Sequence, residues 1–84
     1  MKTFVFMYIL TDEIEVIQKS LGRHIKYWKS LDLPYYKNGP FADKSGGLII
    51  FSPADKKEAE DIVSNDPLLN EKAVADYWIK EWIA

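Results

Sequence analysis

The chain has 84 residues, a single histidine, no cysteine and a formal net charge of −2. That length suits one domain, and the lack of cysteine excludes disulfides, thiolate metal sites and a cysteine nucleophile. Hydrophobic residues make up 48% of the chain and charged residues 29%, as in globular rather than disordered proteins. We therefore predict a single globular domain over residues 1–84.

The first predicted element is a strand over residues 3–10 with apolar side chains on both faces. Its apolar run is too short to span a membrane, which takes about 18 to 20 residues. No small-residue cleavage site follows, so the run does not match a secretory signal. The sparse basic residues also lack the dense stripe of a nucleic-acid-binding surface. We expect a cytoplasmic protein without membrane or nucleic-acid partners.

A helix follows, and Asp12 and Glu15 have the spacing of a capping box at its start. Apolar residues then recur every three or four positions, which is typical of one face of an amphipathic helix. This stripe consists of Ile14, Ile17, Leu21, Ile25, Trp28 and Leu31. His24 falls within the stripe and is expected on the inward-facing side, and the helix should end before Pro34.

The second half of the chain predicts one more helix and three strands. A turn is expected at residues 38–40, and the helix should stop at Asp66-Pro67 because proline disfavours a helical residue before it. In chain order the predicted elements are a strand at 33–37, a strand at 47–52, a helix at 55–65 capped by Ser52 or Asp55, and a strand at 74–83.

The order strand, helix, strand, strand, helix, strand predicts an α+β protomer of the ferredoxin-like βαββαβ type with an antiparallel four-stranded sheet. Two helices can cover only one face of such a sheet. The other face would expose a large apolar patch, which monomers rarely show. We therefore predict a homodimer in which two sheets pack face to face.

Acid–base chemistry at His24 is the catalytic chemistry that the composition allows best. One histidine and no cysteine leave too few ligands for a metal site, and Gly46-Gly47 lacks phosphate-loop spacing. We therefore predict neither a metal nor a cofactor. Asp66 and Asp43 are the carboxylates that could orient the imidazole for general-base catalysis. All three residues also have a purely structural explanation. His24 could be a hydrogen-bonded core residue, and the two aspartates could be helix-cap and turn residues.

Short motifs recur along the whole chain in a distinctive order. They are His24, Asn38-Gly39-Pro40 followed by Asp43, Gly46-Gly47, Glu58-Ala59, Asp66-Pro67 and Trp82. Together they resemble the YCII-like family of small bacterial proteins, and the similarity spans essentially all residues. The resemblance implies a dimeric α+β barrel whose ferredoxin-like protomers associate through their sheets.

The resemblance also implies a cleft with a catalytic His–Asp pair, which would consist of His24 and Asp66. One characterised branch of the family removes chloride from a chlorinated hydroxyquinol, and the wider superfamily includes muconolactone isomerases and small monooxygenases. The candidate substrate-binding residues are Tyr8, Trp28, Gly39, Pro40 and Asp43.

Two functions are compatible with these observations. The first is a small cofactor-free enzyme in which His24 takes a proton from a phenol or an acidic carbon while Asp66 holds the imidazole. By resemblance, its reaction would be of the lyase, dehydrochlorinase or isomerase type, on a small substrate such as an aromatic. The second is a non-catalytic module that binds a small molecule or a partner on the same dimeric barrel.

Overall fold

The computed structural model describes residues 2–83, which form four strands and three helices. In chain order these are β1 (Phe4–Leu10), α1 (Ile14–Ser30), β2 (Tyr36–Pro40), β3 (Gly46–Phe51), α2 (Lys56–Ser64), α3 (Pro67–Asn70) and β4 (Val74–Glu81). The strand pairings are antiparallel, in the order β2-β3-β1-β4 across the sheet. The predicted ferredoxin-like α+β fold is confirmed, with one short helix added between α2 and β4.

The core lies between the helices and one face of the sheet. Its sheet side is built from alternate residues of β1 and β3, including the buried Phe4, Phe6, Ile49 and Phe51. Trp28 of α1 packs on this layer, with its ring centroid 5.0 Å from that of Phe51 and 6.2 Å from that of Phe6. These aromatic contacts seat the C-terminal half of α1 on the sheet.

The second strand lies further along the chain than predicted. Residues 38–40, expected to form a turn, are the last three residues of β2 and pair with β3. The turn occurs instead at residues 41–45, where the backbone N–H of Phe41 donates to the carbonyl oxygen of Gly46 at 2.9 Å. Pro40 has no backbone N–H to donate. It is tolerated because β2 is an edge strand, where a missing N–H need not cost a hydrogen bond between strands. The Asn-Gly-Pro segment therefore lies at the sheet edge and not at a hairpin tip.

The start of α1 lacks the predicted capping box. Glu13 is the N-cap residue, and no side chain caps the first turn. The backbone N–H of Glu13 donates instead to the Thr11 hydroxyl at 3.4 Å. The N-cap lies at Glu13 and not at Asp12, so the capping box predicted from the spacing of Asp12 and Glu15 is wrong.

A different side of α1 faces the sheet than its apolar stripe predicts. The buried residues of the helix are Ser20, His24 and Trp28. Three residues of the predicted stripe are exposed, Ile14 by 65%, Leu21 by 36% and Ile25 by 47%. Ile14 and Leu21 instead line a cavity of about 690 Å³, together with Lys44 and Ser45 of the turn between β2 and β3.

The start of α2 follows one of the two predicted alternatives. The Asp55 carboxylate accepts a hydrogen bond from the backbone N–H of Glu58 at 2.8 Å. The Glu58 carboxylate reaches back and accepts from the backbone N–H of Ala54 at 3.0 Å. Two backbone donors that a helix start leaves unpaired are thereby satisfied.

The second face of the sheet is covered by no helix within residues 2–83. Its apolar side chains come from alternate positions of β1, β3 and β4: Val5, Met7, Ile9, Leu48, Ile50 and Trp78. We call these six residues the open face. The open face is the surface that the predicted homodimer would bury, and the dimer itself stays a prediction.

Candidate functional site

His24 and Asp66 meet in the interior between α1 and α3. Nδ1 of His24 lies 2.7 Å from Oδ2 and 2.9 Å from Oδ1 of Asp66. The two residues are only 2% and 0% exposed. Asp66 is held in an extended conformation before Pro67, with φ −65° and ψ 129°, and caps α3. The Asp-Pro break thus places a carboxylate beside the middle of α1.

The Asp66 carboxylate accepts hydrogen bonds from two further donors. The indole Nε1–H of Trp28 donates to Oδ2 at 2.8 Å, and the backbone N–H of Leu68 donates to Oδ1 at 2.9 Å. Burying a carboxylate is costly unless its oxygens are hydrogen-bonded. These donors, with His24, replace the water that Asp66 loses on folding.

This pairing determines which nitrogen of His24 carries the proton. An ionised carboxylate can only accept, so Nδ1 is the donor and Nε2 keeps its lone pair in the neutral ring. The amide Nδ2 of Asn38 lies 3.4 Å from Nε2 and donates to that lone pair. His24 therefore presents a proton-accepting nitrogen on the side away from Asp66.

A cavity of about 660 Å³ borders His24 on the Asn38 side. Its volume lies within the range of small-molecule sites. Its lining residues are Tyr8, Leu21, His24, Ile25, Lys29, Tyr36, Lys37, Asn38, Gly39 and Pro40. A second cavity of about 690 Å³ follows the exposed stripe of α1 and shares Tyr8, Leu21 and Pro40 with the first. A base and enough space for a small molecule thus occur together.

Tyr8 stands next to the base. Its ring meets the imidazole of His24 edge-on, with 5.6 Å between the centroids. Burial and, to a smaller extent, the negative charge of Asp66 raise the pKa of Tyr8 to about 12. The phenol of Tyr8 therefore stays protonated at neutral pH and can act as a hydrogen-bond donor.

The predicted site residues divide into two groups. Tyr8, Gly39 and Pro40 line the cavity beside His24. Trp28 does not, in contrast to its predicted role: it is fully buried, and its N–H is bound by Asp66. Trp28 therefore holds the Asp66 carboxylate of the pair and does not line the cavity.

Asp43 is also absent from the lining of both cavities. It lies in the exposed turn after β2, where its carboxylate accepts the backbone N–H of Ser45 at 3.0 Å. Hydrogen bonds from Ser45 hold the pKa of Asp43 below its usual range. Of the two carboxylates considered for His24, only Asp66 contacts it.

A hydrogen-bonded network beside the pair was not predicted. Glu71, which ends α3, accepts the hydroxyl of Ser20 and Nε of Arg23, each at 2.9 Å, and pairs with a second nitrogen of Arg23. The bond from Arg23, followed by that from Ser20, lowers the pKa of Glu71. Ser20 lies one turn before His24, so this network ties α3 to the helix that carries the base. The spacing of Ser20 and His24 places both on one side of α1, but nothing in the sequence indicates Glu71 as their neighbour.

Within residues 2–83, no three His, Cys, Asp or Glu side chains are clustered as metal ligands would be. No helix in this part of the chain is long and apolar enough to cross a membrane. The described site offers a base and hydrogen-bond donors.

The fold and the buried pair define a class of protein, a small ferredoxin-like α+β domain with a cavity between its first helix and its sheet. The model of the YCII-related domain family matches residues 1–83. The chain therefore belongs to the YCII-related domain family, which confirms the predicted resemblance. No curated protein sequence is a significant match to the chain.

Several solved structures share the fold. The 5-chloro-2-hydroxyhydroquinone dehydrochlorinase TftG from Burkholderia phenoliruptrix, in complex with 2,5-dihydroxybenzoquinone, is 19% identical with a TM-score of 0.78, over 96% of this chain and 93% of its own. A dimeric ferredoxin-like protein of unknown function from Thermobifida fusca is 8% identical with a TM-score of 0.61, over 99% and 90%. The cofactor-independent oxygenase SnoaB from Streptomyces nogalater is 10% identical with a TM-score of 0.59, over 99% and 91%. At these identities the likeness shows the fold alone.

Proposed function

We propose that the protein is a small enzyme that uses His24 and Asp66 for general acid–base chemistry on a small substrate. One observation carries the proposal: Nδ1 of His24 is bound to a buried carboxylate, while His24 and Asn38, the neighbour of Nε2, both line a cavity of about 660 Å³. A base oriented in this way is the arrangement that proton abstraction requires. The imidazolium formed on proton uptake is stabilised by Asp66, as in a catalytic triad.

The substrate class follows from the cavity walls. Tyr8, Tyr36 and Ile25 supply aromatic and aliphatic surface, while Asn38 supplies an amide. Such walls suit a small aromatic molecule with polar substituents. The fold neighbours support this, since one is a dehydrochlorinase of a hydroxylated aromatic and another is a cofactor-independent oxygenase. The proposed reaction is of the lyase or isomerase type and needs no cofactor.

The proposed assembly is a homodimer that packs the open faces of two sheets against each other. The dimeric ferredoxin-like neighbour supports this arrangement, and an uncovered apolar face of this kind is rare on monomers. The proposed location is the cytoplasm, with no nucleic-acid or membrane partner.

A non-catalytic binding module is the second candidate. It is favoured by the contact of Asn38 with Nε2 of His24 at 3.4 Å and by the 2% exposure of the histidine. A ligand must displace or share this contact before Nε2 can take a proton. In the module, the His–Asp pair would only hold α1 and α3 together.

Turnover of His24→Asn separates the two candidates. The assay follows loss of 5-chloro-2-hydroxyhydroquinone and of related activated phenols by wild type, His24→Asn and Asp43→Asn. Asp43 is the matched control because it is an exposed residue outside the cavity. The enzyme predicts turnover by wild type and Asp43→Asn and a loss of roughly 100-fold or more in His24→Asn. Equal turnover in all three proteins would contradict catalysis, and binding without turnover would favour the module.

A further inference from the structure

The hydroxyl of Tyr8 has an unused hydrogen-bonding capacity. Tyr8 is only 4% exposed, yet its hydroxyl forms no hydrogen bond within residues 2–83. Each fully enclosed side-chain nitrogen or oxygen in that region does have a partner, so this hydroxyl must keep some accessible surface. The surface available to it is that of the two cavities, both of which Tyr8 lines. The phenol O–H therefore faces the site.

The surrounding strands hold this hydroxyl in place. Tyr8 and Gly47 are directly opposite each other in the pairing of β1 with β3. A side chain at Gly47 would come within 2.6 Å of Cζ of Tyr8 and overlap its hydroxyl. The ring therefore lies across the bare backbone of β3, with the imidazole of His24 on its other side. A donor that is fixed in this way loses little conformational freedom when it binds a ligand.

We propose that the Tyr8 hydroxyl is the hydrogen-bond donor to a substrate oxygen beside the base, which makes phenols and enolisable carbonyl compounds the substrate class. This inference rests on the proposed role of His24. In the step, an O–H or C–H bond of the substrate breaks and its proton joins Nε2 of His24. The electron pair stays on, or moves to, the substrate oxygen, which becomes a phenolate or an enolate. Tyr8 stabilises that oxygen by its hydrogen bond and keeps its own proton.

Two observations favour Tyr8 over the other tyrosine of this cavity. The raised pKa of Tyr8, about 12, keeps its proton in place beside a substrate anion. Tyr36 also lines the cavity, but its ring packs on Trp28, with 6.5 Å between the centroids. Only Tyr8 is in ring contact with the base.

Binding of 4-nitrophenolate and of nitrobenzene tests the proposal. Nitrobenzene has the same ring and nitro group but no phenolate oxygen. Tyr8→Phe keeps the aromatic ring and removes the hydroxyl. It should weaken 4-nitrophenolate binding by roughly 10- to 100-fold, the range for a hydrogen bond to a charged group, and leave nitrobenzene binding unchanged. The absorbance band of the bound phenolate should shift to shorter wavelength with wild type and not with Tyr8→Phe.

Two tyrosine variants serve as controls. Tyr27→Phe removes a hydroxyl that donates to the carbonyl oxygen of Ile62 at 2.6 Å, away from the cavity. Tyr36→Phe removes the other hydroxyl of the cavity. Tyr27→Phe should bind the two probes as wild type does, and Tyr36→Phe should weaken 4-nitrophenolate binding less than Tyr8→Phe does. Thermal unfolding of each variant shows that the fold is retained.

The outcomes separate this proposal from the proposed function. Equal 4-nitrophenolate affinity of wild type and Tyr8→Phe would overturn it, as would absence of binding to wild type or a loss confined to Tyr36→Phe. Binding requires no turnover. A protein that selects the phenolate through Tyr8 but turns over no substrate would therefore contradict catalysis by His24 and still support Tyr8 as the donor.

Discussion

Nδ1 of His24 lies 2.7 Å from Oδ2 of Asp66, although 42 residues separate them in the chain. The contact joins the middle of α1 to the residue that begins α3. It also leaves Nε2 of the imidazole beside Asn38, which lines the cavity together with His24. The pair belongs both to the core and to the site, so we expect substitutions in it to change stability and activity together.

Asp66→Asn should lower both quantities. The amide has one acceptor oxygen instead of two, so one of the three donors around it loses its partner. We expect the free energy of unfolding to fall by about 1–3 kcal/mol, and turnover to fall by roughly 10³- to 10⁴-fold, as when a triad aspartate is replaced. Urea unfolding and the turnover assay measure the two effects. Asp43→Asn is the matched control and should change the free energy by less than about 0.5 kcal/mol. Equal effects of both variants would contradict a special role for Asp66.

Trp28→Phe should destabilise the protein through Asp66. The variant keeps most of the aromatic packing but removes the indole donor at 2.8 Å from Oδ2. We expect a loss of about 1.5–3 kcal/mol in the free energy of unfolding, the range for a hydrogen bond to a charged group. Trp82→Phe makes the same chemical change at an indole that is 47% exposed. A comparable loss in both variants would show that ring size, and not the hydrogen bond, is what matters.

Stability at alkaline pH should depend on Tyr8. Its pKa rises from 10.0 to about 12 on folding. Above pH 10 the unfolded chain therefore binds fewer protons than the native protein, and the stabilising contribution of Tyr8 declines as pH rises through 12. Denaturant unfolding between pH 9 and 12 should show a steeper decline for wild type than for Tyr8→Phe, which keeps Tyr27. Parallel curves would contradict the raised pKa.

The open face should mediate dimerisation. Met7 and Trp78 are paired near its centre, on β1 and β4. Met7→Lys would bury a charge in the proposed interface, and the unpaired charge should prevent association. Sedimentation equilibrium at micromolar concentration should give twice the chain mass for wild type and the single chain mass for Met7→Lys. Glu60→Lys on exposed α2 is the control and should remain dimeric. A single chain mass for wild type would contradict the dimer.

The sequence predicts Asp66 as one of two possible partners of His24. His24 lies in the inward-facing stripe of α1, Asp-Pro disfavours a helical residue before the proline, and the ferredoxin-like order packs the two helices side by side on one face of the sheet. Asp43 had an equally good local signal as a turn residue. Only the register of the β2–β3 hairpin, which the sequence does not specify, removes it from the site.

The sequence predictions that the structure contradicts concern residues whose positions depend on contacts between elements and not on the local sequence pattern. The apolar stripe of α1 predicts Leu21 and Ile25 inside, but both are exposed and line a cavity, whereas Ser20 and His24 are buried and bound to Glu71 and Asp66. The hydrophobic pattern of the helix does not show this, because both partners come from another element of the fold. Asn-Gly-Pro is typical turn chemistry and predicts a turn at Asn38, but the structure places Asn38 in β2. The contact of Asn38 with His24 depends on the pairing of β2 with β3, in which Asn38 lies opposite Ile49.

The protonation pattern of the imidazole tests the central claim most directly. The chain has a single histidine, so a long-range ¹H–¹⁵N correlation spectrum contains one imidazole pattern with no ambiguity of assignment. If Asp66 orients His24 as a base, the neutral ring carries its proton on Nδ1, and the nitrogen shift of Nε2 is that of an unprotonated acceptor. Asp66→Asn should weaken this preference. A neutral ring protonated on Nε2 in the wild-type protein would contradict the account, because no lone pair would then face the cavity.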